Sequence, residues 1–159
     1  MSDMLVKLYE LPDLEPFIQR QQEQGITIRR ALPPEKHIVV DWVRMHFSKY
    51  WASETEVAFS HMPPNIFIAI ENEAVMGFAC YDSTRKGFFG PTGVEESKRG
   101  RGTGAALLVA CMHAMMWDGY GYAIIGGAGP TDFYTKIVNA TIIPGSNPGT
   151  YRGMLRDKK

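Results

Sequence analysis

Apolar residues return along this 159-residue chain with two different periods, and each change of period marks an element. Residues 26–31 alternate apolar with polar positions, and residues 66–70 and 75–81 are short apolar runs; all three predict strands. The last two are joined by Glu71-Asn72-Glu73-Ala74, which predicts a hairpin. A further strand over residues 88–94 is interrupted by Gly90-Pro91, which predicts a bulge or an edge irregularity. The helical period appears after Pro33-Pro34, where Ile38, Val39, Trp42, Val43, Phe47 and Tyr50 recur on one face. Residues 51–61 read as a second short helix with a loop. From residue 104 to 117 the apolar positions cover nearly every face, so this helix is expected to lie buried between a sheet and another layer, ended by Asp118-Gly119.

The flanks are shorter. Residues 4–9 read as a strand, followed by a helix over residues 14–24 with Asp13 as its cap and Gly25 as its stop. That helix is mostly Gln and Glu after Ile18, which predicts a surface position. Residues 122–125 form a strand, 131–138 a short helix, and 141–143 and 151–155 two final strands. No internal repeat and no dividing linker appears, so one domain is expected, of mixed α/β class. The strand–helix–strand unit over residues 88–125 should set its two strands side by side and parallel.

Composition narrows the function classes. Seventeen basic and seventeen acidic side chains give zero formal charge, which argues against a broad phosphate-binding face for nucleic acid. Cys80 and Cys111 form no C-x-x-C pair and lie in apolar surroundings, so buried free thiols are expected. His37, His46, His61 and His113 share no ligand spacing, and no metal site is expected. No secretory leader and no run long enough to span a bilayer is visible, which predicts a cytoplasmic protein without membrane partners.

The candidate chemistry lies in Lys98-Arg99-Gly100-Arg101-Gly102-Thr103-Gly104, which runs straight into the long apolar helix. Three glycines at alternate positions weaken any regular element but suit a tight turn whose N–H groups converge. At a helix N-terminus such a turn favours an anion, and Arg99 and Arg101 would add charge at its rim. The spacing excludes two common cradles. A nucleoside-triphosphate loop needs Lys-Ser/Thr after its last glycine, and here Ala105 follows. A dinucleotide fingerprint needs G-x-G-x-x-G with an acidic residue beyond, and residues 119–125 hold no carboxylate.

Arg99, Gly102 and Gly104, preceded by Gly93-Val94, resemble the acetyl-coenzyme A signature of the GNAT family of N-acetyltransferases. The resemblance spans residues 26–155, most specifically 93–108 and 123–136. It implies a mixed, mostly antiparallel sheet of about six or seven strands flanked by helices, with two splayed parallel strands around the cofactor. Residues 1–25 would then be an N-terminal extension packed on the domain. The resemblance assigns Gly93, Val94, Arg99, Gly100, Arg101, Gly102, Thr103 and Gly104 to acetyl-CoA, the acyl donor. Phe133-Tyr134-Thr135-Lys136 resembles the family's Phe-Tyr-x-Lys helix, placing Phe133 beside the cofactor and Tyr134 as general acid for the leaving thiolate. A thiol of pKa about 8.5 needs only a weak proton donor. Residues 126–130 would give the thioester arm room.

The acceptor pocket is expected from Trp51, Gly126, Ser146 and Asn147. No general base is assigned, because residues 88–94 carry no carboxylate; Glu54, Glu56, Asp82 and His61 border the expected pocket. Residues 90–93 and 143–149 look like those of bacterial members linked to amino-sugar metabolism, which makes an amino sugar the lead for a small-molecule amine acceptor. Dimers are common in the family. An acyl-CoA-binding module without turnover stays open as the alternative.

Overall fold

The chain's longest strand lies inside its sheet and feeds two cores. The computed structural model describes residues 1–158. In chain order the elements are β1 (Met4–Lys7), α1 (Glu15–Gln22), β2 (Thr27–Arg30), α2 (Lys36–His46), α3 (Lys49–Ala58), β3 (Ile66–Glu71), β4 (Ala74–Tyr81), β5 (Phe88–Val94), α4 (Thr103–Trp117), β6 (Tyr122–Ile125), α5 (Thr131–Val138) and β7 (Thr141–Ile142). One seven-stranded sheet runs in the order β2-β3-β4-β5-β6-β1-β7. Every neighbouring pair is antiparallel except β5 and β6. The expected class, strand number and parallel unit are all present.

Side chains of β4 alternate between the two faces. Phe78 and Cys80 join Val39, Val43 and Ala52 in a core beneath α2 and α3. Ala79 and Tyr81 join Leu107, Cys111 and Met115 beneath α4. The register with β3 shifts between Ala69 and Ile70, so Met76 is an extra residue, and it too joins the α4 core. Its neighbour Gly77 lies so close to α4 that a Cβ there would come within 3.1 Å of Leu107 Cδ1. Helix α4 is buried all round, as its apolar run predicts, and both cysteines are buried free thiols. No helix among the described residues is long and apolar enough to cross a membrane.

Four expectations are corrected. Residues 1–25 are not an appendage on the domain: β1 is an internal strand, pairing with β6 from Met4↔Ile125 to Lys7↔Tyr122 and with β7 at Met4↔Ile142. Residues 151–155 form no strand: a 3-10 turn, Gly149–Tyr151, ends at their first residue, and turn and irregular chain follow it. Helix α1 starts without a cap from Asp13, and its Gln21 is buried rather than exposed. On α2 the buried stripe is Val39, Val40 and Val43; Ile38 faces solvent, and Tyr50 belongs to α3, which Ser48 caps by accepting from Trp51 N.

The splay arises within β5. It pairs with β6 only at Phe88↔Ile124 and Phe89↔Ile125. Against β4, Tyr81 faces Phe89 and Ala79 faces Thr92, so Gly90 and Pro91 together oppose Cys80. This is the bulge the sequence predicts. Proline has no N–H to give a neighbour, and beyond it β5 and β6 separate.

Val6, fully buried in β1, tests whether that strand is integral. Val6→Asp leaves an unpaired carboxylate in the core, a cost of several kcal/mol, so the variant should lose its cooperative thermal transition by circular dichroism. A melt like that of the parent chain would show β1 to be dispensable.

Candidate active site

The glycine turn is built by the end of β5 and held from below by α1. Glu95 N donates to Met76 O, so residues 95 and 76 form a hydrogen-bonded pair and Val94 falls in the non-bonded register opposite Gly77. Val94 therefore turns its backbone groups away from β4, towards the splay. Its carbonyl accepts from Arg99 Nε at 3.1 Å. Gly100 and Gly102 have φ of +82° and +80°, a region that side chains disfavour.

Helix α4 then begins with no side-chain cap. Its first intrahelical bond is Ala106 N to Gly102 O, 3.1 Å, so the N–H groups of Thr103, Gly104 and Ala105 precede the ladder. Thr103 turns its hydroxyl inward and donates to Gln21 Oε1 at 2.7 Å. Gln21 Nε2 in turn donates to Arg101 O at 2.9 Å, and Gln24 Nε2 does the same at 3.0 Å. A buried glutamine thus reads both ends of the turn. Nothing in the polar spacing of α1 signals it, because its partners lie far along the chain.

Two assigned residues have other duties. The Arg101 guanidinium forks onto Glu71, at 3.1 and 2.6 Å, and Lys98 Nζ joins at 3.1 Å. Hydrogen bonds from Arg101 and then Lys98 hold the Glu71 carboxyl at a pKa of about 2. The charge of Arg101 is therefore met by Glu71 rather than offered at the rim; exposed Arg99 keeps that place. Gly93 is a packing glycine. A Cβ there would sit 2.4 Å from Phe47 Cζ, and the Phe47 ring packs against Trp51 and Phe78 with centroids 5.1 and 5.7 Å away. Gly104 differs: its Cβ would meet Phe133 Cζ and Val94 Cγ2 only at 3.9 Å, in open contact beside the helix start.

Past the bulge, the splay opens into a cleft of about 730 Å³. Trp51, Gly126, Asn147 and Tyr134 all line it. Ser146 does not. Its hydroxyl accepts from Asp3 N at 2.7 Å and donates to Ile143 O at 2.6 Å, fixing the loop after β7. Asp3 Oδ1 also accepts from Gly127 N at 2.8 Å, so the residue just ahead of β1 holds the cleft wall. Gly126 is glycine because a Cβ would come within 3.1 Å of the Phe88 ring and 3.2 Å of the Tyr151 hydroxyl.

Tyr134 is 6% exposed, edge-on to Phe89 and Phe133, and its hydroxyl has no hydrogen-bond partner among the described residues. Burial raises its pKa. Glu54 is the one carboxylate among the cleft-lining residues. Burial raises its pKa, offset in part by a hydrogen bond from the Thr84 hydroxyl. The sequence held a signal for Glu54: it stands three residues after Trp51 on α3, so the two share a helix face. The other acidic candidates fall away. Asp82 accepts from Gly87 N and the Tyr120 hydroxyl, and Glu56 faces solvent. His61 does not line the cleft.

The sequence matches no protein-family model and no curated protein. Solved structures do match. A GCN5-related glucosamine N-acetyltransferase region of a fungal multi-domain GH3 β-N-acetylglucosaminidase superposes with a TM-score of 0.72 at 15% identity, covering 89% of this chain and 19% of that one. A GCN5-related N-acetyltransferase from Sphaerobacter thermophilus gives 0.68 at 20% identity, covering 89% and 48%. This chain has the GNAT fold. It spans less than half the length of either of those two proteins. A GNAT family acetyltransferase from Brucella melitensis, in complex with acetyl-CoA, superposes at 0.56 with 16% identity, covering 70% of this chain and 80% of that one. On this GNAT fold, Val94, Gly100, Gly102, Gly104 and Phe133 gather at the start of α4, while Trp51, Glu54, Gly126, Tyr134 and Asn147 gather in the cleft.

The packing reason for Gly93 makes a specific prediction. Gly93→Ala should destabilise the fold by about 1–3 kcal/mol in urea melts, as overpacking does, and the penalty should shrink in a Phe47→Ala background. Equal penalties in both backgrounds would mean that the ring is not the constraint.

Proposed function

We propose that this protein is an acetyl-CoA-dependent N-acetyltransferase that acylates a primary amine of a small molecule by direct attack on the thioester. The observation that carries the reading is an uncapped α4 N-terminus beside Phe133, whose neighbour Tyr134 lines the cleft at the splay of β5 and β6. An anion and an extended arm need those two features side by side. The N–H groups of Thr103, Gly104 and Ala105 suit the diphosphate, with Arg99 at the rim and Phe133 as a wall. The outward backbone of Val94 suits the amides of the pantetheine arm. Bound acetyl-CoA supplies the activated acetyl group.

The chain's own side chains would manage the protons. An acceptor ammonium must lose one before its nitrogen can attack, and Glu54, with its raised pKa, is the acceptor for it in the cleft. The unpartnered Tyr134 hydroxyl is the donor for the leaving thiolate. Trp51 and Asn147 line the acceptor side. An amino sugar leads as the acceptor: the sequence looks like members linked to amino-sugar metabolism, and the fungal structure is a glucosamine N-acetyltransferase region.

Two measurements test this. Calorimetric titration should show acetyl-CoA binding in the micromolar range, with ATP and NAD failing to bind. Gly104→Asp should weaken it at least tenfold while keeping or raising the melting temperature. A Cβ fits there without a clash, and a carboxylate favours the helix start while competing for the anion's place. No binding to the folded protein would end the proposal.

In steady-state kinetics with glucosamine, Tyr134→Phe should lower kcat by about 10²–10⁴ with acetyl-CoA affinity kept. Activity of the parent should fall as pH drops through the raised pKa of Glu54, because the protonated carboxyl cannot take a proton. Glu54→Gln should lower kcat and remove that limb. Binding without turnover of any amine would leave an acyl-CoA-binding module.

A further inference from the structure

The cleft holds more positive than negative side-chain charge, although the chain as a whole is neutral. Among the lining residues the charged side chains are Glu54, Arg85 and Arg156. An exposed arginine ordinarily extends into bulk water, but each of these two is held against another lining residue. Arg85 lies in the turn between β4 and β5, and its Nε donates to the hydroxyl of Thr150, which also lines the cleft. Arg156 has its guanidinium 5.7 Å from the centre of the Tyr50 ring, a third lining group. The next residue anchors that segment to the start of α3. Asp157 Oδ2 accepts from the Tyr50 hydroxyl at 3.0 Å and from Lys49 Nζ at 2.8 Å, and Asp157 N donates to the Tyr50 oxygen at 2.8 Å.

Neither guanidinium has an acidic partner among the described residues. In this they differ from Lys98 and Arg101, which Glu71 neutralises, and from Lys49, which Asp157 neutralises. Position says which anion would answer them. The glycine turn follows the Val94 end of β5, whereas Arg85 precedes its start at Phe88, and seven residues of strand span about 20 Å. A diphosphate at the start of α4 is therefore beyond the reach of Arg85. Glu54 lies at the Arg85 end, because Thr84, the residue before Arg85, donates to Glu54 Oε2. An ammonium suits Glu54, and an anion suits the two arginines, whose planar forks match phosphate and carboxylate oxygens. A ligand with an amine alone would answer Glu54 and leave both cations without a counter-charge.

We propose that Arg85 and Arg156 form an anion subsite at the acceptor end of the cleft, so that the acceptor is an amine that also carries a phosphate or carboxylate group. This deepens the acetyltransferase reading and rests on it for the amine. The subsite itself is a matter of binding.

The test uses the whole protein with coenzyme A present, titrated with three sugars that differ at one carbon: glucosamine, glucosamine 6-phosphate and the uronic acid of glucosamine. At least one of the two acids should bind about tenfold more tightly than glucosamine, the worth of one charge-assisted hydrogen bond. The larger advantage names the group as phosphate or carboxylate. That advantage should shrink as salt rises from about 50 to 500 mM, because the subsite is open to solvent. Arg85→Gln and Arg156→Gln are exposed substitutions that should melt with the parent. Each should reduce the advantage and the pair should erase it, with affinity for coenzyme A kept. Where acetyl transfer occurs, the double variant should raise the KM for the favoured acid about tenfold with kcat nearly constant. If neither acid binds better than glucosamine, the proposal is overturned. An advantage that survives the double variant also overturns it, as does a loss of coenzyme A affinity equal to the loss for the acid, which would put the arginines on the cofactor. Failure of the acetyltransferase reading shows differently, as an anion advantage in binding with no acetyl transfer to any of the three sugars.

Discussion

Two residue pairs are all that join the halves of this sheet in parallel, Phe88 with Ile124 and Phe89 with Ile125. Everything functional depends on the pairing stopping there. Had β5 continued alongside β6, its backbone would be satisfied by a neighbouring strand and there would be no cleft. The Gly90-Pro91 bulge ends the ladder, and the N–H of Val94 is left without a strand partner while its carbonyl accepts from Arg99. The core then has to hold apart two strands that would otherwise close. Helix α4, buried on all sides, spans β3, β4 and β5 from below, and the ring of Phe47 fills the hollow at Gly93 from above.

The anion cradle rests on how charge is distributed around it. Of the cations in the turn, Arg101 and Lys98 are committed to Glu71, and Arg99 bonds the carbonyl of Val94. The unspent positive potential is therefore mainly that of the helix start, which is fixed by backbone geometry and does not depend on the rotamer of a long side chain. Gln21 and Glu71 act from opposite sides of the turn to hold it, one through hydrogen bonds and the other through ion pairs. Such a cradle loses little conformational freedom when an anion arrives.

The elements near the cleft were legible in the sequence because local signals set them. The hairpin at residues 71–74, the bulge at Gly90-Pro91 and the apolar run of α4 each follow from a few neighbouring residues. What could not be read depended on distant partners. Gln21 looks like a surface residue until Thr103 and Arg101 are brought to it. Gly93 has a packing reason that no neighbouring residue signals, the ring of Phe47 brought in from the end of α2. Residues 151–155 read as a strand, yet no strand of the sheet pairs with them. In the cleft, Tyr134 and Trp51 were legible by motif and position. Glu54 was marked only by its place three residues after Trp51; what separates it from the other carboxylates is burial, and burial is tertiary.

The placing of β1 has a consequence for how the chain is made. Met4–Lys7 leaves the ribosome before any residue of β6 or β7, yet it pairs with nothing else. Its apolar side chains must wait until nearly the whole chain has emerged. The halves of the sheet on either side of the cleft thus differ in kind: β2 to β5 can assemble from sequential neighbours, whereas the β6-β1-β7 half needs contacts that bridge almost the full length of the chain. Long-range closure of this sort is slow and leaves strand edges exposed while it waits. The wall that completes the cleft should be the last part of the molecule to form, so nascent chains should acquire the cofactor cradle before they acquire an enclosed acceptor pocket.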